Sequence, residues 1–107
     1  MHIGFILTKT PAEEGFNTFL EFALLYWGKE EISIYLLGNG VFCARKGHSK
    51  QDKIEKLIEG AKIYANASDL MARGISEENL IAGIKTISGY DGLVVNIMEK
   101  FDQILSF

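Results

Sequence analysis

The stretch GNGVFCARKG, residues 38–47, contains the only cysteine of the chain, Cys43, two residues before Arg45. The thiolate is the reactive form of cysteine, and nearby positive charge lowers the pKa of a thiol, so Cys43 is a candidate catalytic nucleophile. The alternative is a packed thiol, because free cysteine is among the most buried residue types and behaves as a small apolar side chain. The residues themselves leave both interpretations open.

Other chemistry-bearing residues are sparse. His2 stands at the start of the first predicted strand and His48 lies in a polar loop, and we expect both to face solvent because neither has a partner at metal-ligand spacing. The GNG turn lacks a dinucleotide-binding fingerprint, since G-x-G-x-x-G requires glycine at the position of Cys43. We therefore expect no metal, no cofactor, and no hydrolase or oxidoreductase constellation.

Composition restricts the class of protein. The chain has 107 residues and a net charge of −3, which fits one domain, residues 1–107. A single cysteine cannot form an internal disulfide, and the apolar start IGFIL is too short for a secretory signal, so we expect a cytoplasmic protein. No apolar run approaches the ~20 residues that cross a membrane. The chain has no long basic run, so we expect no direct nucleic-acid binding. We expect its partners to be proteins or small molecules.

Short apolar runs alternate with helical patterns along the chain. They predict strands near residues 2–8, 31–38, 61–66, 84–88 and 102–107. Strands that alternate with helices at this spacing need crossover connections, so the fold class is α/β. We expect a three-layer α/β/α sandwich around a five-stranded, mostly parallel sheet. The side chains expected to be buried in it are Ile3, Phe5, Ile34, Leu36, Ile63, Ile87 and Ile104.

Capping patterns suggest where the helices begin. The first helix begins either at a capping box on Thr18 or earlier, near Glu13, and ends at Gly28. Ser49 opens a second helix, and Ser68 a short third helix. A fourth helix is predicted after Ser88, with one apolar stripe formed by Tyr90, Leu93, Val94, Ile97, Met98 and Phe101.

Ligands of parallel α/β sheets bind at the carboxyl ends of the strands, where the loops converge. Hydroxyls, amides and helix N-termini are predicted to gather there, with Cys43 close by. The binding-edge candidates are Thr10, Asn39, Gly40, Asn66, Ser68 and Ser88.

The first helix is unusually apolar and covers more than one face. Monomers rarely expose large apolar patches, so we expect one side of this helix, including Phe19, Tyr26 and Trp27, to form a subunit interface.

From about Thr18 onward the chain resembles the DsrE/DsrF/DsrH superfamily of small sulfur-relay proteins. The resemblance rests on IYLLGNGVFCARKG, on KIYANASDLMARGISEENLIAGIKTISGYDGLV and on the closing FDQILSF, and is locally closest to the DsrH type in SDLMARGISEENL. It implies a cytoplasmic α/β protein that assembles as a homo-oligomer (dimer, trimer or hexamer) or with sister relay subunits. In the best-known members, persulfide sulfur passes along a chain of cysteines.

At both positions where members of the superfamily have a sulfur-carrying cysteine, this chain has another residue. The DsrE-type cysteine falls at the end of the third strand, where this chain has Asn66, and the DsrH-type cysteine falls in the first helix, at Phe19. Neither side chain can form a persulfide. The resemblance therefore implies a non-catalytic or divergent subunit of a sulfur-relay system. The alternative is a small-ligand-binding or assembly protein on the same fold, unrelated to sulfur transfer.

Overall fold

Parallel strands form one sheet in the computed structural model, which describes residues 1–88 and 100–107. Within those residues the sheet has five strands in the order β4-β3-β2-β1-β5, and every neighbouring pair is parallel. The strands are β1 (His2–Leu7), β2 (Glu31–Leu36), β3 (Ala61–Asn66), β4 (Lys85–Ile87) and β5 (Gln103–Ser106). The predicted α/β fold with a parallel five-stranded sheet is confirmed.

Three α-helices lie within the described residues: α1 (Glu14–Tyr26), α2 (Gln51–Ile58) and α3 (Ala67–Ala72). A 3₁₀ segment, Gly38–Ala44, follows β2 and contains Cys43. The fourth helix predicted around residues 90–98 lies outside the described residues, although Phe101, the last member of its stripe, is described. No helix in the described part of the chain combines the length and apolarity needed to span a membrane.

The two faces of the sheet differ in chemistry because side chains alternate along each strand. Ile3, Phe5 and Leu7 of β1 share one face with the alternate residues of β2 and β3 that pair with them. Helices α1 and α2 bury their apolar residues in the same core cluster. The opposite face presents His2, Ser33, Tyr35 and Tyr64.

Two of the side chains expected in the core lie on the more polar face of the sheet. Five of the seven predicted core side chains are fully buried. Ile87 and Ile104 are only half-buried. Ile87 pairs with Asn66 and Ile104 with Gly4, so both stand on the more polar face rather than in the core between sheet and α1.

The start of α1 also differs from the capping-box prediction. Helix α1 begins at Glu14 with Glu13 as its N-cap residue, so the earlier start is the observed one. The Glu13 carboxylate accepts the backbone N–H of Thr10 at 2.6 Å, which ties the preceding loop to the helix. Thr18 lies inside the helix, where its hydroxyl donates to the Glu14 carbonyl at 3.4 Å. The end is as predicted, because Gly28 follows with a φ of 78°.

The predicted serine caps of the next two helices are wrong. The N-cap residue of α2 is Lys50, which makes no side-chain cap, and its N–H donates to Nδ1 of His48 at 3.0 Å. The N-cap residue of α3 is Asn66, whose Oδ1 accepts the N–H of Asp69. Ser68 instead lies in the first turn of α3.

Candidate functional site

The carboxyl edge of β2 turns sharply over the end of β1. Leu37 donates its N–H to the Leu7 carbonyl at 3.1 Å, and the Gly40 N–H closes the turn on the Leu37 carbonyl at 2.9 Å. A β-carbon at position 40 would overlap the Leu7 carbonyl oxygen. Gly40 is therefore required because the 3₁₀ segment crosses the β1 backbone in direct contact.

Four side chains join the carboxyl ends of β2 and β3, and we call them the edge network: Asn39, Asn66, Asp69 and Arg73. Asn66 is fully buried, and its Oδ1 accepts the Asp69 N–H at 3.1 Å. The Asp69 carboxylate accepts the Gly38 N–H at 2.9 Å. Arg73 Nε donates to Asn39 Oδ1 at 3.1 Å, and its Nη1 lies 3.6 Å from the Asp69 carboxylate. Of the predicted edge residues, this network brings together Asn39 and Asn66, with Gly40 alongside.

Asp69 and Arg73 are the members of the network that the sequence prediction missed. Their spacing of four residues on a helix is the signal that could have found the ion pair. The spacing of three residues between Asn66 and Asp69 is likewise typical of an N-cap. Neither spacing indicates the bonds to Gly38 and Asn39, which lie more than 30 residues earlier in the chain.

The remaining edge candidates lie apart from this network. Thr10 is bonded through its backbone to Glu13 at the start of α1. Ser68 and Ser88 are exposed, in the first turn of α3 and directly after β4. In the described residues no hydrogen bond connects any of the three to the edge network, so their roles as binding residues stay predictions.

Asn66 is enclosed rather than lining an opening. Its side chain has no exposed surface, and its Nδ2 has no hydrogen-bond partner among the described residues. A partner protein therefore cannot reach the Asn66 side chain in this structure. The bridge between Asp69 and Gly38 accounts for this, because it closes the gap between the two strand ends.

Cys43 is also fully buried. Its Sγ donates to the Lys9 carbonyl at 3.4 Å, and burial, with a smaller contribution from Glu13, raises the thiol pKa to about 12. The neighbouring Arg45 does not offset this, since it is exposed and its guanidinium stacks 5.4 Å from the Phe42 ring centre. These features favour the packed thiol over the nucleophile.

Both histidines have partners, contrary to the expectation that they face solvent. The Nε2 of His48 lies 2.9 Å from the Cys43 carbonyl while its Nδ1 accepts the Lys50 N–H, so Nε2 carries the proton. His2 Nε2 lies 2.9 Å from the Ser33 hydroxyl. Both rings are half-buried. Across the described residues, no group of His, Cys, Asp and Glu side chains is arranged to hold a metal ion.

The apolar surface of α1 is not the one predicted. Phe19 is fully buried, with its ring 5.8 Å from Phe5 and 6.0 Å from Phe107, so it cannot contact another subunit. Tyr26 and Trp27 are partly buried against the same core. The exposed large apolar residues of α1 are Phe22, Leu24 and Leu25, the last of them 61% exposed. We call these three residues the α1 stripe.

Solved structures share this architecture. A protein of unknown function from Methanobacterium thermoautotrophicum superposes with a TM-score of 0.83 over 97% of each chain, at 17% identity. The ychN protein from E. coli superposes with a TM-score of 0.81 over 100% of this chain and 99% of its own, also at 17% identity. At such identities the comparison establishes the fold alone.

Two archaeal proteins are related over nearly their whole lengths. An uncharacterized protein of Methanopyrus kandleri is 33% identical over 98% of this chain and 93% of its own. An uncharacterized protein of Methanocaldococcus jannaschii is 31% identical over the full length of both. The model of the family described as DsrH like protein matches residues 11–103. The chain therefore belongs to the DsrH-like family.

Proposed function

We propose that this protein is a non-catalytic or divergent subunit of a cytoplasmic sulfur-relay system, which works by assembling with copies of itself or with sister subunits. The observation that carries the proposal is Asn66. It occupies the position of the DsrE-type carrier cysteine at the end of β3, where it serves as the buried N-cap of α3. An amide cannot form a persulfide, so the position has a structural role in place of a chemical one.

The second carrier position supports the same conclusion. Phe19, which stands where the DsrH type has its cysteine, is fully buried between α1 and the sheet. A sulfur at this depth would be inaccessible to a donor without local unfolding. Substitution by a large aromatic ring makes the site part of the core.

Cys43 does not take over the carrier role in this proposal. Sulfur transfer requires a thiolate that a donor persulfide can reach. The Cys43 thiol has no exposed surface, and burial holds its pKa at about 12, so only a small fraction is ionised at neutral pH. A packed thiol fits both observations.

Assembly is the activity that remains for such a subunit. The α1 stripe offers an exposed apolar surface on a helix anchored to the sheet by Phe16, Phe19 and Ala23. Exposed apolar patches of this kind mark protein interaction sites when their members are contiguous. A relay subunit without its own thiol would contribute by positioning a sister subunit that has one.

Intact-mass spectrometry after treatment of the full chain with a small-molecule persulfide donor tests the chemical part of the proposal. The native protein is expected to gain no stable sulfur. Cys43→Ser is the matched control, because it removes the only thiol of the chain. A gain of one sulfur in the native chain that Cys43→Ser abolishes would overturn the non-catalytic assignment.

Binding to a DsrE-type carrier protein, measured by calorimetry, tests the assembly part. The native chain is expected to bind, and Leu25→Glu in the α1 stripe is expected to weaken binding. If the chain associates neither with itself nor with such a carrier, the alternative of a small-ligand-binding protein unrelated to sulfur transfer replaces the proposal.

A further inference from the structure

The polar face of the sheet contains a cleft of about 340 Å³. It is lined by alternate residues of β2 and β3 and by the chain that enters β5, and it is separate from the edge network. Its volume lies within the roughly 300–1,000 Å³ range of small-molecule sites. The cleft does not depend on sulfur chemistry, so the inference goes beyond the proposed function.

One wall of the cleft is aromatic. The rings of Tyr35 and Tyr64 stack with their centres 5.1 Å apart and their planes at 15°. Phe101 meets Tyr35 edge-on at 5.9 Å. Tyr35 is only 4% exposed, whereas Tyr64 is half-buried, so Tyr64 is the tyrosine of this stack that a bound molecule can cover. An aromatic ring offers a planar ligand a stacking or edge-on contact beyond simple area burial.

Hydrogen-bonding groups also line the cleft. The Ser33 hydroxyl is buried on β2 and lies 2.9 Å from Nε2 of His2. The His2 ring is held by an edge-on contact with Phe101 at 4.4 Å. This pair is therefore fixed in place before any ligand arrives, which reduces the entropy cost of using it.

The charges at the rim favour an anion. Lys62 and Lys100 line the cleft together with one carboxylate, Glu31. Glu30 and Asp102 are near but do not line the cleft: Glu30 pairs with the Met1 ammonium at 3.0 Å, and Asp102 accepts the backbone N–H of His2 at 2.6 Å. Neither lysine forms an ion pair within the described residues. Among the described residues that line the cleft, two cations face one carboxylate, so this part of the lining is net positive on a protein whose net charge is −3.

We propose that this cleft binds a small molecule that combines an aromatic ring with an anionic group such as a carboxylate. The ring packs against Tyr64 and Phe101, and the anion pairs with Lys62 and Lys100. The Ser33 and His2 pair supplies the hydrogen bonds that orient it.

Titration of the full chain with benzoate, followed by NMR signals of the His2 and Tyr64 rings, tests the proposal. Benzoate is expected to shift both rings saturably. Lys62→Ala is expected to weaken the affinity about tenfold, because it removes a charge-assisted contact. Lys53→Ala, an exposed lysine of α2 that does not line the cleft, is the matched control and is expected to leave the affinity unchanged.

Two further probes separate the parts of the ligand. Cyclohexanecarboxylate keeps the charge without the aromatic ring, and inorganic phosphate is an anion without any ring. Weaker binding of both probes than of benzoate supports the proposal. If either probe binds as tightly as benzoate, the aromatic ring does not contribute and the proposed ligand class is wrong. Non-saturating shifts with benzoate, or equal effects of Lys62→Ala and Lys53→Ala, would overturn the site itself. Because Lys62 is exposed, its replacement leaves the fold intact.

Discussion

At the scale of single residues, Cys43 and His48 occupy one small neighbourhood, joined by hydrogen bonds. The Cys43 thiol donates to Lys9, and the Cys43 carbonyl accepts from His48 Nε2, so the peptide group and the thiol are both engaged. His48 connects this residue to the first turn of α2 through Lys50. The cysteine therefore belongs to the packing of the 3₁₀ segment against two loops.

The raised pKa of Cys43 predicts a loss of stability in alkaline solution. The folded state holds the thiol pKa at about 12, above its ordinary value of 9.0, so the unfolded chain releases the proton first as pH rises. The stability that the buried, protonated thiol contributes is fully present below pH 9.0 and is lost as the pH rises toward the folded pKa. Over this window the free energy of unfolding should fall by up to about 1.4 kcal/mol per pH unit more than in Cys43→Ala.

Urea unfolding of both proteins at a series of pH values measures this difference. The Cys43→Ala variant is the control because it keeps every lysine and tyrosine that titrates in the same range. Parallel curves for the two proteins would mean that the thiol is accessible in the folded state, and the catalytic interpretation of Cys43 would regain support.

At the scale of elements, the edge network determines how β3 continues into α3. Asn66 ends the strand and caps the helix, so no loop separates β3 from α3. Asp69 then connects this junction to the start of the 3₁₀ segment after β2. These bonds attach the six-residue helix α3 to the ends of both strands.

Replacing Asn66 by alanine should therefore destabilise the protein, whereas replacing Ser68 should not. Loss of an N-cap costs about 1 kcal/mol, to which removal of a buried side chain adds. Ser68→Ala is an exposed change in the same turn, for which we expect an effect within about 0.5 kcal/mol. Urea unfolding midpoints compare the two variants, and a larger loss in Ser68→Ala would contradict the observed cap.

At the scale of the whole molecule, the proposed association depends on the exposed apolar side chains of α1. The sheet face under α1 is covered by a continuous core, and α1 still exposes Phe22, Leu24 and Leu25, with the Phe22 ring also 5.5 Å from that of Phe107. Charged residues elsewhere on the surface give the protein its mild negative charge. A contact through α1 would remove apolar area from water, and the exposed Glu21 lies beside Leu24 and Leu25 on this surface.

Light scattering at micromolar concentration should accordingly report a mass above that of one 11.9 kDa chain. Leu25→Glu is expected to shift the mass toward the monomer, because it places a charge in the centre of the α1 stripe. Met71→Glu is the matched control, since Met71 is 81% exposed but lies on α3. A monomeric native protein, or equal effects of both variants, would refute an interface on α1.

The sequence alone determined the strands, their order along the chain and their parallel sense. Those features depend on apolar runs and on helices between them, which are local patterns. Glycines at the ends of α1 and α3, with φ of 78° at Gly28 and 69° at Gly74, were predictable for the same reason. The residues of the first three strands expected in the core are buried, because alternation along a strand assigns them to one face.

Only the tertiary structure decided which oxygen caps α3, where Cys43 lies and which sheet face is polar. Asn66 and Ser68 both have capping side chains, and the choice depends on where β3 ends relative to its neighbours. The bonds from Gly38 to Asp69 and from Cys43 to Lys9 join residues 31 and 34 positions apart. Such contacts form because the sheet brings distant segments together, and no local pattern in the sequence indicates which segments will meet.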